Sequence, residues 1–199
     1  MNMDQPPQNS PRPEKQYLYH GVPDNIAGTH LHPLNTMKNP EKLEIEEEIK
    51  EALKKVYEAE MGKYQSEYRR TIPNKEIPPL NCTWGDVLQF SPVHPALLKE
   101  ALELQEFHPQ EMKFYQIDPA LLSSENTTIY LFNDDKNAPD KFAEYDPEKL
   151  EEFSKLTQET KDHYRLAKEE GTKPFLFVGV PHVFLKGSLD VSNLPVIII

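Results

Sequence analysis

The 199-residue sequence predicts a single α+β domain built on a mostly antiparallel mixed sheet, with one long amphipathic helix and several shorter ones. Three observations lead there. Between Pro40 and Tyr68, apolar residues recur at three- and four-residue steps, the period of one helix face. Strand-like runs crowd the second half of the chain instead of alternating regularly with crossover helices. Nineteen prolines against seven glycines imply many short elements joined by fixed turns.

Taken in order, residues 1–16 are polar, proline-rich and without apolar period, so they are expected to form a disordered tail, with the folded domain spanning 17–199. Tyr17-Leu18-Tyr19-His20 has the aromatic character of a first core strand, closed by Gly21 and the turn residues Pro23-Asp24-Asn25. The helix over 40–68 carries Ile45, Ile49, Leu53, Val56, Tyr57, Met61, Tyr64 and Tyr68 on one stripe, with Gly62 as a point where it would break. Its charged face offers Glu46 with Lys50 and Glu51 with Lys55 at four-residue spacing. Residues 71–82 hold too many prolines for regular structure and are expected to form a loop.

Residues 84–92 read as a short strand stopped by Pro92. Residues 94–107 read as a helix with Pro95 in its first turn and Leu97, Leu98, Ala101 and Leu102 facing inward. Strands are expected over 112–118 and 127–133. Between them Asp118-Pro119 opens one helical turn, and the same pair at Asp146-Pro147 opens a helical region that restarts near Thr157 and stops at Gly171. The apolar runs PFLFVGV, HVFLKGSLDV and LPVIII close the chain as strands.

Composition narrows the function classes. A formal charge of -11 disfavours a broad phosphate-neutralising surface, so bulk nucleic-acid binding and adhesion to anionic membranes are not expected. No apolar run approaches the roughly 20 residues of a membrane span, and the N-terminus lacks the apolar segment of a signal peptide. With a single cysteine, Cys82, and no cysteine framework, the expectation is a soluble cytoplasmic protein. Its mean hydropathy of -0.70 fits a heavily solvated surface.

Several chemistries lack their residues. His30 and His32 would share one strand face and His20 would have to approach them to make a metal site, but no His-Glu-x-x-His, cysteine pair or diagnostic acid accompanies them, and no metal is expected. Ser188 follows Gly187 without a nucleophile elbow. Cys82 beside Trp84 reads as a small buried hydrophobe. Neither glycine-rich phosphate loop occurs.

What remains is His20-Gly21 at the end of an aromatic strand. YLYHGVPDNIAG resembles the opening strand of ADP-ribosyltransferase-fold proteins, DVLQFSPVHPALL is similar to the second element of their DNA-modifying toxin members, and PFLFVGVPHVFLKGSLDVS looks like their closing strand pair with Val180-Pro181 as the turn. The resemblance implies NAD as substrate and loss of nicotinamide through an oxocarbenium-like transition state, with no further cofactor required. It implies that His20 holds the ribose and the Gly21 backbone lies against the nicotinamide. Tyr19 and Phe90 would wall the nicotinamide, and Ser91 would support the ribose. The family's acid has no counterpart in Thr172-Lys173-Pro174, leaving Glu170 just before and Asp190 beyond as candidates. The chain also resembles small bacterial proteins that share a YHxVP start, an FYQIDPxLL segment and a GSLDVSNLP end, a likeness that implies no activity.

The contrasting expectation is a noncatalytic interaction domain, with the acidic helix 40–68 and the proline-rich loop 71–79 as a protein-partner surface. The sequence leaves the oligomeric state open.

Overall fold

A computed structural model describes residues 15–66, 69–131 and 139–199. The expected tail therefore falls almost wholly outside the described residues, as do Tyr68 and the end of the 127–133 run. Strands β1 (Leu18–Gly21) and β2 (His30–Leu31) precede helices α1 (Leu34–Lys38) and α2 (Glu47–Met61). Next come β3 (Glu76–Ile77), β4 (Cys82–Thr83), β5 (Val87–Phe90) and α3 (Pro95–Glu103). Strands β6 (Lys113–Ile117), β7 (Thr127–Leu131) and β8 (Lys141–Glu144) lead to α4 (Gln158–Glu170). The chain continues through β9 (His182–Lys186), β10 (Leu189–Asp190) and β11 (Val196–Ile198). No described helix is long and apolar enough to cross a membrane.

Two antiparallel sheets form the α+β core, ordered β1-β6-β11 and β5-β9-β7-β8. Among the described residues their backbones join at one bridge: Tyr19 N–H donates to the Ser91 carbonyl at 2.8 Å and Ser91 N–H to the Tyr19 carbonyl at 2.9 Å. Two short ribbons, β2–β10 and β3–β4, complete the pairing among the described residues. Strand alternation sorts the interior. Leu88 and Phe90 of β5 and Val183 and Leu185 of β9 join Leu18, Ile117, Ile129 and Leu150 on one face. Val87, Phe184 and Tyr130 turn to the other and pack with Ile77, Leu80 and Trp84. Both faces of the four-stranded sheet are thus covered, and β9 is buried through its middle. In the helical layer, the Tyr164 ring is fully buried beside Ala101 and Leu102, and its hydroxyl donates to the Leu176 carbonyl at 2.5 Å.

Several expectations need correction. The 40–68 helix is shorter: Pro40–Lys42 form a single 3-10 turn, Leu43 is extended, and the α-helix ends at Gly62 in a second 3-10 turn. Its apolar stripe packs inside the molecule, where Leu53, Ile49, Val56 and Tyr57 meet Ala27, Leu34 and Met37. The helix-face ion pairs fall at three-residue spacing, Glu47 with Lys50 at 2.8 Å and Glu51 with Lys54 at 3.0 Å. Residues 71–82 are not featureless, because β3 and β4 pair across the turn Pro78–Leu80. Trp84–Asp86 is a 3-10 turn, since Asp86 accepts from the Thr83 amide and hydroxyl at 2.9 and 2.7 Å and coils the chain before β5 begins. Helix α3 stops at Glu103, and Leu97 points outward. PFLFVGV is not a strand: Leu176–Gly179 turn, with Gly179 at φ +78 held against α4, so no closing strand pair is made with this segment.

The turn signals hold. Asp118, Asp146 and Thr157 each cap the helical segment that follows, and Gly171 ends α4 in the left-handed conformation at φ +66.

Candidate functional site

The seam between the sheets gathers five of the predicted residues. β1 lies beside β5, so His20 reaches Gln89 of the neighbouring strand and its Nδ1 sits 2.8 Å from that carbonyl. A carbonyl only accepts, so Nδ1 carries the proton and Nε2 is left as an acceptor. The ring stands edge-on to Phe90 at 5.7 Å. Burial pushes the His20 pKa below its usual value, partly offset by the Gln89 bond, and the charges nearest it are Glu60 and Lys63 from the end of α2.

The neighbours are otherwise committed. Phe90 is fully buried, and Tyr19 is buried with its ring edge-on to His94 at 4.9 Å. Ser91 Oγ accepts from the Val93 amide at 3.1 Å and donates to the Val93 carbonyl at 3.4 Å, closing a local turn. Gly21 stays in the β1–β6 ladder opposite Phe114. The structure therefore brings His20, Gly21, Tyr19, Phe90 and Ser91 together, while only the imidazole keeps a partly exposed polar side chain among them.

Neither candidate acid is among the charges around His20. Glu170 ends α4 and its charge is felt at His163. Asp190 lies opposite His30 on the β2–β10 ribbon and accepts from Ser192 N–H at 2.9 Å, which holds its carboxyl below the usual range. The acid that does approach is Glu60, which bonds Lys63 at 2.6 Å. On the polar face of a charged helix, nothing in the sequence distinguishes it from its neighbours.

The other two early histidines occupy a different place. The β2–β10 register sets His30 opposite Asp190 and carries His32 to Ser188, with Nδ1 and Oγ 2.6 Å apart. The two imidazoles stack at 5.8 Å. Among the described residues, no three His, Cys, Asp or Glu side chains are grouped to hold a metal ion. Cys82 packs beside Ile77 and Phe184, and burial pushes its thiol up, away from the reactive thiolate.

A groove along β8 is the feature that the sequence reading missed. Two concavities of about 680 and 310 Å³ share Ser124, Ala143, Glu144 and Tyr145 and so run together along this edge strand. Buried Leu122 and half-buried Ala143 and Phe153 supply an apolar floor, while Pro79 and Leu80 close one end. Tyr145 donates its hydroxyl to the Pro119 carbonyl at 2.8 Å, which turns it into the wall. Glu144, Asp146 and Glu152 lie on the rim. The one lysine lining the larger concavity, Lys149, is bonded to Asp146 at 3.0 Å, and that bond together with the Glu148 amide holds the Asp146 carboxyl low. An edge strand beside an apolar floor and an anionic rim can receive an extended chain that carries positive charge.

Comparison with protein-family models, with curated proteins and with solved structures finds no significant match.

Proposed function

We propose that this chain is a noncatalytic protein-interaction domain whose β8 groove receives an extended, basic segment of a partner protein. The single observation that supports it is the combination of a sheet edge with a continuous concavity floored by Leu122, Ala143 and Phe153 and rimmed by Glu144, Asp146 and Glu152. Backbone pairing to β8 would supply affinity, alternate side chains would enter the floor, and the rim would select positive charge. Pro79, in the loop expected to meet a partner, contributes to one end of the groove, whereas the stripe of α2 is occupied within the domain. The test is a heteronuclear NMR titration with a peptide of about ten residues alternating lysine and valine. Amide shifts confined to Ala143, Glu144, Tyr145 and Phe153, lost on Glu144→Lys with Glu152→Lys, are expected. Equal shifts with a glutamate-valine peptide would overturn the reading.

A second reading is a nucleotide pocket at the seam with NAD as its ligand, and it is supported by His20: a partly exposed imidazole fixed through Nδ1, with Gly21 backbone beside it. Millimolar NAD would then raise the melting temperature of the wild-type chain and leave His20→Ala unmoved. No shift in the wild type removes this reading.

A further inference from the structure

We propose that β11 is a self-pairing edge through which two copies of this chain form a reversible dimer. The two sheets have contrasting outer edges. β8 carries Lys141 and Glu144, charges that restrict which chain can add to it, whereas β11 reads Val196-Ile197-Ile198 with no charge at all. Val196 and Ile198 are 47 % and 59 % exposed, so two aliphatic side chains flank the outer edge of the strand.

The hydrogen-bond alternation leaves a complete set of outward groups. Gln116 N–H donates to the Pro195 carbonyl, and Met112 and Ile199 exchange both bonds, so residues 195, 197 and 199 turn their backbone toward β6. Val196 and Ile198 consequently turn their N–H and C=O away from it. Pro195, which has no N–H, falls on the β6 side and does not blunt the outer edge.

The occupant follows from this geometry and from charge. A two-fold axis through Ile197 sets Val196 opposite Ile198 of the second copy and Ile198 opposite its Val196, and each outward N–H then meets an outward C=O. A chain of net charge -11 repels its own copy over most of its surface, and this uncharged strand lets two copies meet without setting carboxylate against carboxylate. The flanking Lys113 is engaged with Glu111 at 3.4 Å. Three strand residues bury well under the ~1,200 Å² of a stable interface, so the dimer is weak and grows with concentration.

Sedimentation velocity of the full chain from about 5 µM to about 500 µM should show a monomer passing toward dimer, and Ile198→Lys should remain monomeric with an unchanged circular dichroism spectrum. The register is tested in a Cys82→Ser background. Ile197→Cys would face its own copy at a Cα separation of about 4.5 Å, within disulfide range, and should crosslink on mild oxidation. Val196→Cys faces Ile198 and should not. A wild-type monomer at every concentration, or equal crosslinking at 196 and 197, overturns the proposal. So does a dimer that appears only after residues 2–14 are deleted, which would assign the edge to the chain's own N-terminal segment.

Discussion

Acidification should destabilise this protein through His182. Its Nδ1 donates to the Val180 carbonyl at 2.8 Å, and the ring lies between Phe177 and Phe184, with centroids 6.4 and 6.3 Å away. Burial disfavours the imidazolium and lowers the pKa from 6.5 to about 4, against a smaller opposing effect of the Val180 bond. Above pH 6.5 the ring is neutral in both folded and unfolded chains, and stability is complete. Between 6.5 and about 4 the unfolded chain takes up a proton that the folded one refuses, so stability falls. Across that window the loss is roughly 3 kcal/mol, from about 1.4 kcal/mol per pH unit. This figure is a ceiling, because His182 is only half-buried as a residue. Set against a total of about 5–15 kcal/mol for a domain, it is a large share. Urea unfolding followed by circular dichroism at about pH 7.5 and about pH 4.5 measures the loss, and His182→Gln, which cannot titrate, should reduce it by about 2–3 kcal/mol. A His182 ring resonance titrating near pH 6.5, or a variant as acid-sensitive as the wild type, would refute the reasoning.

Two glycines with left-handed backbone should respond differently to alanine. At Gly179 a Cβ would lie 2.9 Å from both the Thr160 amide nitrogen and Glu159 Cβ, so Gly179→Ala should cost about 3 kcal/mol or more, while Gly171→Ala meets open space and should cost about 1 kcal/mol; urea midpoints compare them. Asp86 accepts from Asn35 Nδ2 at 2.8 Å as well as from Thr83, joining α1 to the turn before β5, and Asp86→Ala should lower stability by about 2 kcal/mol in the same assay. Tyr164→Phe removes the donor to the Leu176 carbonyl without opening a cavity, and a loss of about 1–2 kcal/mol with unchanged near-ultraviolet circular dichroism is expected.

The fold class was legible because its signals are local. Proline after an aspartate, glycine after a helix and the apolar run in HVFLK depend on neighbouring residues, and each appears where expected. PFLFVGV misled because apolar content identifies burial but not conformation: Val180 is fully buried among Val93 and Leu98, yet Gly179 turns the chain there. β8 escaped notice because its residues alternate weakly and only half-bury, as an edge strand beside a groove does. The candidate site was partly legible. His20 lies beside Phe90 and Ser91 because one isolated bridge joins β1 to the residue after β5, a long-range contact that no local signal announces, and the engagement of the Ser91 hydroxyl by Val93 depends on a turn geometry that side-chain identity does not announce.

The contact between Tyr19 and Ser91 has a mechanical meaning. Along the backbone of the described residues the two sheets are joined by a single bridge, and the apolar side chains of Leu18, Ile117, Phe90 and Val183 packed around it supply the rest of the coupling. A strain applied at one outer strand therefore reaches the opposite one through that bridge and the side chains packed around it, and the His20 ring sits directly beside the bridge.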